Sequence, residues 1–416
     1  MDIQETLNRQ LPLYARVLVK KGICLQKDQI LVINAPVEAS FFVTLLTEEA
    51  YQAGASQVVF NWYCNGTTRL RYEYEALDKF ESVPHWRSEF NLYYYRKGAA
   101  FLSLISADPY AMKGIDRNKI MAWQKAFHQA VKEYSDGMMA SKTNWLVAAV
   151  PSTVWAKLLY PELPEQEGMA RLWIQLLDAA RCLGKDPLAD WDQHLAELKQ
   201  RREWLTAQQF AALDYENSLG THLTVGLPDH HLWQGGAENT ARGFWFNANI
   251  PTEEVYSAPQ ADQVDGVVYS TRPLVYSGNL IENFRLTFKN GKVVEATAEK
   301  GEEILKDLLK MDEGACRLGE VALIPYHSPI SLMDKVFYET LLDENASCHL
   351  ALGDAYPTCV EKGADMSEEE QKKAGLNDSM IHVDFMVGTP DLNILGITHD
   401  GKEIPVFVDG NFAPEI

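Results

Sequence analysis

The spacing of apolar residues changes near residue 215, and this change most constrains the fold. Before it, apolar runs at 29–34, 57–62, 99–105 and 144–150 alternate with helical patterns. Such alternation favours a parallel sheet covered by helices. We therefore predict an α/β amino-terminal domain. Residues 165–214 have helical spacing and are predicted to form a helical connector at its end.

After residue 215 the apolar residues recur at every second position, as in the runs 222–227, 266–271 and 284–289. Asn290-Gly291 predicts a hairpin turn between two strands. The second half is therefore predicted to be an α+β, strand-rich carboxy-terminal domain. Since 416 residues exceed what one hydrophobic core organises, we expect two domains, 1–215 and 216–416.

Charge and composition exclude several partners. The net charge of −20 disfavours nucleic acid and anionic membranes, which require a basic surface. No stretch reaches the roughly 20 apolar residues of a membrane span, and the amino terminus lacks a basic segment followed by an apolar run. The six cysteines are scattered without a C-x-x-C spacing, which is typical of reduced thiols. These features predict a cytoplasmic protein.

Six side chains of the types that bind metals lie in the last 40% of the sequence. They are Glu254, Glu320, Glu344, His349, His382 and Asp384. Two imidazoles and four carboxylates suit zinc, cobalt, manganese or magnesium. One ion needs only three or four protein ligands, so six ligands suit two divalent ions that share a bridging carboxylate. The set predicts a two-metal hydrolase.

The local patterns differ in what they support. His382 and Asp384 are two residues apart, so in a strand both project from one face; a surface strand with incidental polar residues is the alternative. Glu320 opens an apolar run, and a buried carboxylate must be paired or coordinated. Glu254 also fits the first turn of a helix capped by Thr252. The spacing of Glu344 and His349 indicates a loop entering a strand.

Other catalytic motifs do not occur in the sequence. There is no H-E-x-x-H of single-metal zinc peptidases, no G-x-S-x-G elbow and no P-loop lysine motif. The first strand is not followed by G-x-G-x-x-G, which excludes a conventional dinucleotide-binding loop.

Several longer motifs resemble the M29 family of metallo-aminopeptidases, the thermophilic aminopeptidase T group. They are Asn249-Ile-Pro-Thr-Glu-Glu-Val-Tyr-Ser-Ala-Pro259, Gly319-Glu-Val-Ala322, His349-Leu-Ala-Leu-Gly-Asp-Ala-Tyr356 and Asn377-Asp-Ser-Met-Ile-His-Val-Asp-Phe-Met-Val-Gly388. The resemblance implies that the six side chains above are the metal ligands and that Glu320 bridges two ions. It also implies that Tyr356 is the active-site tyrosine and that the protein is a homodimer.

We therefore predict a two-metal aminopeptidase that hydrolyses the amino-terminal peptide bond of peptides with a free amino terminus. Tyr356 is predicted to stabilise the oxyanion, and Glu253 is the candidate general base. Two alternatives remain at this point: a non-catalytic metal-containing binding or scaffold protein, and a metal-dependent hydrolase of another amide.

Overall fold

Each of the two units of the chain is assembled from two separate segments. The computed structural model describes residues 3–276, 279–414 and 416. Unit 1 contains the chain up to Gln193 together with Ala237–Pro251, and unit 2 contains His194–Gly236 and Thr252–Ile416.

This division differs from the predicted boundary near residue 215. The strand Ala212–Glu216 pairs with His222–Gly226 on one side and with Asn393–Ile397 on the other, so it belongs to a sheet of unit 2. The prediction that helix extends to residue 214 is wrong there: the helix Pro187–Gln208 ends earlier. Leu213 and Tyr215 are buried alternately, which is the period of a strand. The limits of independently folding domains, 1–215 and 216–416, stay a prediction.

Unit 1 is built around a parallel sheet of five strands. Their order is Gln57–Tyr63, Ile30–Pro36, Ala100–Ile105, Trp145–Ala149 and Asn249–Ile250. The central strands are nearly continuous apolar runs, as expected for a sheet covered on both faces. Two short strands, Glu238–Asn239 and Trp245–Phe246, form a separate antiparallel pair.

Helices precede and connect the parallel strands of unit 1. They are Ile3–Val17, Ser40–Gln52, Asn65–Tyr74, His85–Arg96, Arg117–Ala130, Lys132–Met139, Thr153–Leu159 and Glu165–Ala179. The helix Pro187–Gln208 begins in unit 1 and ends in unit 2. The helices Arg117–Ala130 and Lys132–Met139 are separate, because the chain departs from helical geometry at Val131. Among the helices that the structure describes, none is both long and apolar enough to cross a membrane.

Unit 2 contains two antiparallel sheets. The larger sheet has nine strands. Eight of them follow the order Leu274–Tyr276, Asn279–Lys289, Val264–Tyr269, His222–Gly226, Ala212–Glu216, Asn393–Ile397, Glu403–Val408 and Asn411–Phe412. The ninth strand, Lys292–Lys300, pairs with Asn279–Lys289. The smaller sheet has the order Val255–Ser257, Leu318–Leu323, His349–Gly353 and His382–Met386.

Short helices join the strands of unit 2. They are Glu302–Leu308, Pro329–Leu332, Thr340–Glu344 and Glu368–Lys373. A continuous apolar core includes side chains from both sheets, for example Phe284 and Phe385, whose ring centroids are 5.5 Å apart. The predicted fold class, an α/β amino-terminal part and a strand-rich carboxy-terminal part, is confirmed.

Candidate metal centre

Four of the six predicted ligands project from one face of the smaller sheet of unit 2. The register pairs Glu320 with Ala351 and Ala351 with Asp384, so these three residues form a row across adjacent strands. His349 and His382 lie two positions along their strands from Ala351 and Asp384 and therefore share that face. Because Ala351 has only a methyl group, the middle of the row is left open between two carboxylates.

A β-bulge directs Glu320 onto this face. The register shifts between Leu318 and Glu320, so Gly319 is the extra residue of the bulge. A Cβ atom on Gly319 would lie 2.1 Å from the carbonyl oxygen of Asp354. Only glycine fits there, so the Gly-Glu pair in the sequence sets the direction of the carboxylate.

Glu254, and not its neighbour Glu253, reaches the cluster. Glu254 immediately precedes the strand Val255–Ser257, and its Oε2 atom lies 3.4 Å from Nε2 of His349. Adjacent residues of an extended segment point in opposite directions. The carboxylate of Glu253 accordingly lies beside His194, with 3.9 Å between Oε2 and Nε2, and both side chains are buried.

Glu320 links two groups of potential ligand atoms. Its Oε1 atom lies 3.3 Å from Nε2 of His349, and its Oε2 atom lies 3.5 Å from Nε2 of His382. Among the described residues, Glu254, Glu320 and His349 form one group whose ligand atoms all lie within 4.8 Å of one another. Glu320, His382 and Asp384 form the other. This arrangement places a shared carboxylate between two sets of donors.

Backbone carbonyl groups orient both imidazoles. Nδ1 of His382 lies 2.8 Å from the carbonyl oxygen of Asp354, and Nδ1 of His349 lies 3.2 Å from that of Glu344. A carbonyl oxygen only accepts, so each Nδ1 carries the proton and donates. Each Nε2 atom then faces the carboxylates, which is the arrangement of imidazoles that bind metals.

The cluster has strongly shifted pKa values. Burial alone would lower the pKa of His349, but the hydrogen bond to Glu320 and the charge of Glu254 outweigh it and raise this pKa to about 10. Burial raises the pKa of Glu254 to about 8, against the opposing charge of His349. Burial would also raise the pKa of Glu320, but hydrogen bonds from His349 and His382 hold it below its ordinary value. The two imidazoles are therefore cations, and their positive charge balances the negative charge of the buried carboxylates.

The residues fit divalent ions on two grounds. Oδ1 of Asp384 is buried and accepts no hydrogen bond from the described residues, although it lies 3.4 Å from Nε2 of His382. A buried carboxylate oxygen without a hydrogen bond destabilises the folded protein unless a cation binds to it. The donor set, two imidazoles among carboxylates, is the one that zinc, cobalt and manganese accept.

Glu344 lies at the edge of the cluster. It ends the helix Thr340–Glu344 and is not part of either group of mutually close ligand atoms. Burial, followed by the negative charges of Asp384 and Glu254, raises the pKa of its carboxyl well above the ordinary value. The Glu344 carboxyl therefore interacts electrostatically with ligands of both groups.

Tyr356 lies against the cluster through an aromatic contact. Its ring centroid is 5.1 Å from that of His382, in an edge-to-face arrangement, and 5.7 Å from that of Tyr256. Burial, followed by the charges of Glu320 and Asp384, raises the pKa of its phenol well above the ordinary value. The hydroxyl therefore keeps its proton at neutral pH and is available as a hydrogen-bond donor.

Sequence reasoning missed the residues that support these side chains. Asn345 and His194 contact the segment before Glu254. Neither belongs to a recognisable motif, because a supporting contact depends on which segments the fold brings together. The one sequence feature that could have pointed to Asn345 is its position directly after the predicted ligand Glu344.

The comparisons with known proteins match nearly the whole chain. A model of the thermophilic metalloprotease family M29 matches residues 7–412. Aminopeptidase AmpS of Bacillus subtilis is 44% identical over 409 residues, which is 98% of this chain and 100% of the relative. Aminopeptidase T of Thermus thermophilus is 39% identical over 409 residues, with 98% of this chain and 100% of the relative covered.

A solved structure has the same fold. The structure of wild-type AmpT from Thermus thermophilus matches with a TM-score of 0.92 at 38% identity, covering 98% of this chain and 100% of that one. Fold and cluster together define a metal-dependent hydrolase. The chain belongs to the M29 family of thermophilic metalloproteases, and the resemblance predicted from its motifs is confirmed.

Proposed function

We propose that the protein is an aminopeptidase that hydrolyses the amino-terminal peptide bond of peptides with the help of two divalent metal ions. Membership of M29, and curated relatives that are aminopeptidases, make it a metal-dependent aminopeptidase. The observation that carries the two-ion proposal is the position of Glu320, whose two carboxylate oxygens face two different imidazoles.

The first ion would be held by Glu254, Glu320 and His349, and the second by Glu320, His382 and Asp384. Glu344 is the remaining proposed ligand, and its carboxyl interacts with the charges of both Asp384 and Glu254. Zinc, cobalt, manganese and magnesium are the candidates for this donor set. Bound divalent ions would lower the pKa of water toward neutrality and polarise the scissile carbonyl.

Tyr356 is the proposed stabiliser of the oxyanion. Its phenol retains its proton and its ring lies beside His382, so it could donate a hydrogen bond to a carbonyl that reacts at the cluster. One donor of this kind contributes about 3–4 kcal/mol to the transition state.

Glu253 remains the proposed proton acceptor. Its carboxylate is buried next to His194 and points away from that of Glu254. Glu320 is proposed as catalytic because it would contribute a carboxylate to both ion sites.

The preference for a free amino terminus rests on the curated relatives, which are aminopeptidases. The net charge of −20 supports it, since a negatively charged protein attracts the α-ammonium group of a peptide and repels a free carboxylate. An acylated amino terminus would lose this attraction.

We also propose a location and an assembly. All six cysteines are free thiols, which supports a reducing compartment such as the cytoplasm. The homodimer rests on the family resemblance, and light scattering after size-exclusion chromatography tests it.

The test is hydrolysis of a panel of aminoacyl p-nitroanilides by the protein before and after chelation. We expect activity that is lost on chelation and restored by zinc, cobalt or manganese, with two ions per chain by elemental analysis. The matched control is the N-acetylated form of the best substrate, which should not be cleaved. Equal cleavage of the acetylated substrate, or full activity at zero metal content, would contradict the proposal.

A further inference from the structure

Asn345 lies between two of the acidic segments that contribute to the cluster. It follows the helix Thr340–Glu344, and its side chain is completely buried. A buried primary amide has donors and acceptors that must be satisfied, so its partners are a structural requirement of the fold.

The amide contacts three groups. Oδ1 accepts a hydrogen bond of 2.7 Å from the backbone N–H of Glu253. Nδ2 donates to the carbonyl oxygen of Leu341 at 2.8 Å and to Oε1 of Glu344 at 3.4 Å. Because a backbone N–H only donates and a carbonyl only accepts, this network permits one orientation of the amide.

The peptide unit that joins Thr252 to Glu253 is therefore held at both ends. Asn345 accepts from its N–H, and Nε2 of His194 lies 2.7 Å from its carbonyl oxygen. His194 must donate this bond, since the carbonyl has no proton. The next residue along the chain is Glu254, whose carboxylate enters the first ligand group.

We infer that Asn345 is a positioning residue that holds Glu254 and Glu344 in place for the ion bound with His349. This inference rests on the proposed function, because it assumes that the cluster binds metal. Asn345 contacts the segment of Glu254 and the side chain of Glu344, whereas His382 and Asp384 lie on a strand with which it has no hydrogen bond among the described residues. We therefore expect the main effect of Asn345 at the ion bound with Glu254 and His349.

The experiment compares Zn²⁺ binding by the metal-free, full-length wild type and the Asn345→Ala variant. Calorimetric titration measures the affinity of each binding step. We expect two binding steps in the wild type. In the variant, the step assigned to the first group weakens by about 10-fold to 100-fold, as for the removal of other outer partners of ligands. The second step should stay within about twofold of the wild type. His382→Ala assigns the steps, because it removes a ligand of the second group only.

Asn217→Ala is the matched control. Asn217 is also a buried asparagine that accepts a backbone N–H, from Thr221, but it lies in the turn between two strands of the larger sheet. Its loss should lower the melting temperature and leave both Zn²⁺ affinities unchanged. If Asn345→Ala does not fold, Asn345→Ser, which keeps a small polar group, should weaken the same step.

The outcomes separate the inference from the proposed function. Two unchanged steps, or two steps weakened equally, in a folded Asn345 variant would overturn the positioning role and leave the metal site intact. A wild-type protein that takes up none of Zn²⁺, Co²⁺, Mn²⁺ and Mg²⁺ would overturn the proposed function itself.

Discussion

Oε1 of Glu320 lies 3.3 Å from Nε2 of His349, although the two residues are 29 positions apart in the sequence. They meet because their strands pair antiparallel and a bulge at Gly319 turns the carboxylate onto the face that carries the imidazole. The other carboxylate oxygen faces His382 at 3.5 Å. This single side chain therefore connects both groups of donors, and the first prediction concerns it.

Replacing Glu320 by alanine should remove both ions and lower turnover by roughly 10³-fold or more, because polarisation by the ions is worth several kcal/mol. Metal content by elemental analysis and turnover on an aminoacyl p-nitroanilide measure the two effects. Glu361→Ala is the control, since Glu361 is an exposed carboxylate of the same unit. A Glu320→Ala protein that retains two ions and normal turnover would remove the bridging role.

Tyr356→Phe should lower kcat by about 10²–10³-fold with little change in KM, because an oxyanion donor acts on the transition state. The ring contact with His382 is preserved in this variant, so the fold and metal content should be unaffected. Steady-state kinetics give both constants. An effect on KM alone would assign the hydroxyl to substrate binding instead.

Glu253→Gln tests the proposed proton acceptor. The amide keeps the shape of the side chain beside His194 but cannot accept a proton, so kcat should fall by about 10²-fold or more. Glu339→Gln, at a carboxylate outside both ligand groups, is the comparison. Turnover near the wild-type value would leave Glu253 as a structural partner of His194.

Metal affinity should fall as the pH falls. The pKa of His349 is about 10 without metal, and that of His382 is also well above its ordinary value, because the charge of Asp384 outweighs burial. Both imidazoles are therefore protonated at pH 7, and an ion that occupies Nε2 must displace a proton. Apparent affinity should drop roughly tenfold per pH unit for each proton displaced.

Calorimetry of Zn²⁺ binding in two buffers of different ionisation enthalpy, between pH 6.5 and 8, counts the protons released. His349→Ala should release fewer protons than the wild type. Uptake without proton release would show that the imidazoles are neutral in the metal-free protein.

Much of the fold followed from local patterns in the sequence. Apolar runs at 29–34 and 144–150 became the buried parallel strands Ile30–Pro36 and Trp145–Ala149, because a strand covered on both faces needs a continuous apolar run. The prediction of helix at residues 212–214 was wrong. A short apolar segment is compatible with the period of a helix or of a strand, and pairing with His222–Gly226 makes this segment a strand. The return of Ala237–Pro251 to unit 1 was also not predictable, since no local signal encodes which distant strand a segment joins.

The sequence by itself determined which residue types are available for metal chemistry and, through the family motifs, which six to examine. The tertiary structure alone decided that Glu254 and not Glu253 enters the cluster, that Glu320 faces both imidazoles, and that Asn345 fixes the segment before Glu254. The reason is physical: a motif specifies donor atoms, but their distances depend on strand register, a bulge and backbone hydrogen bonds between segments far apart in the chain.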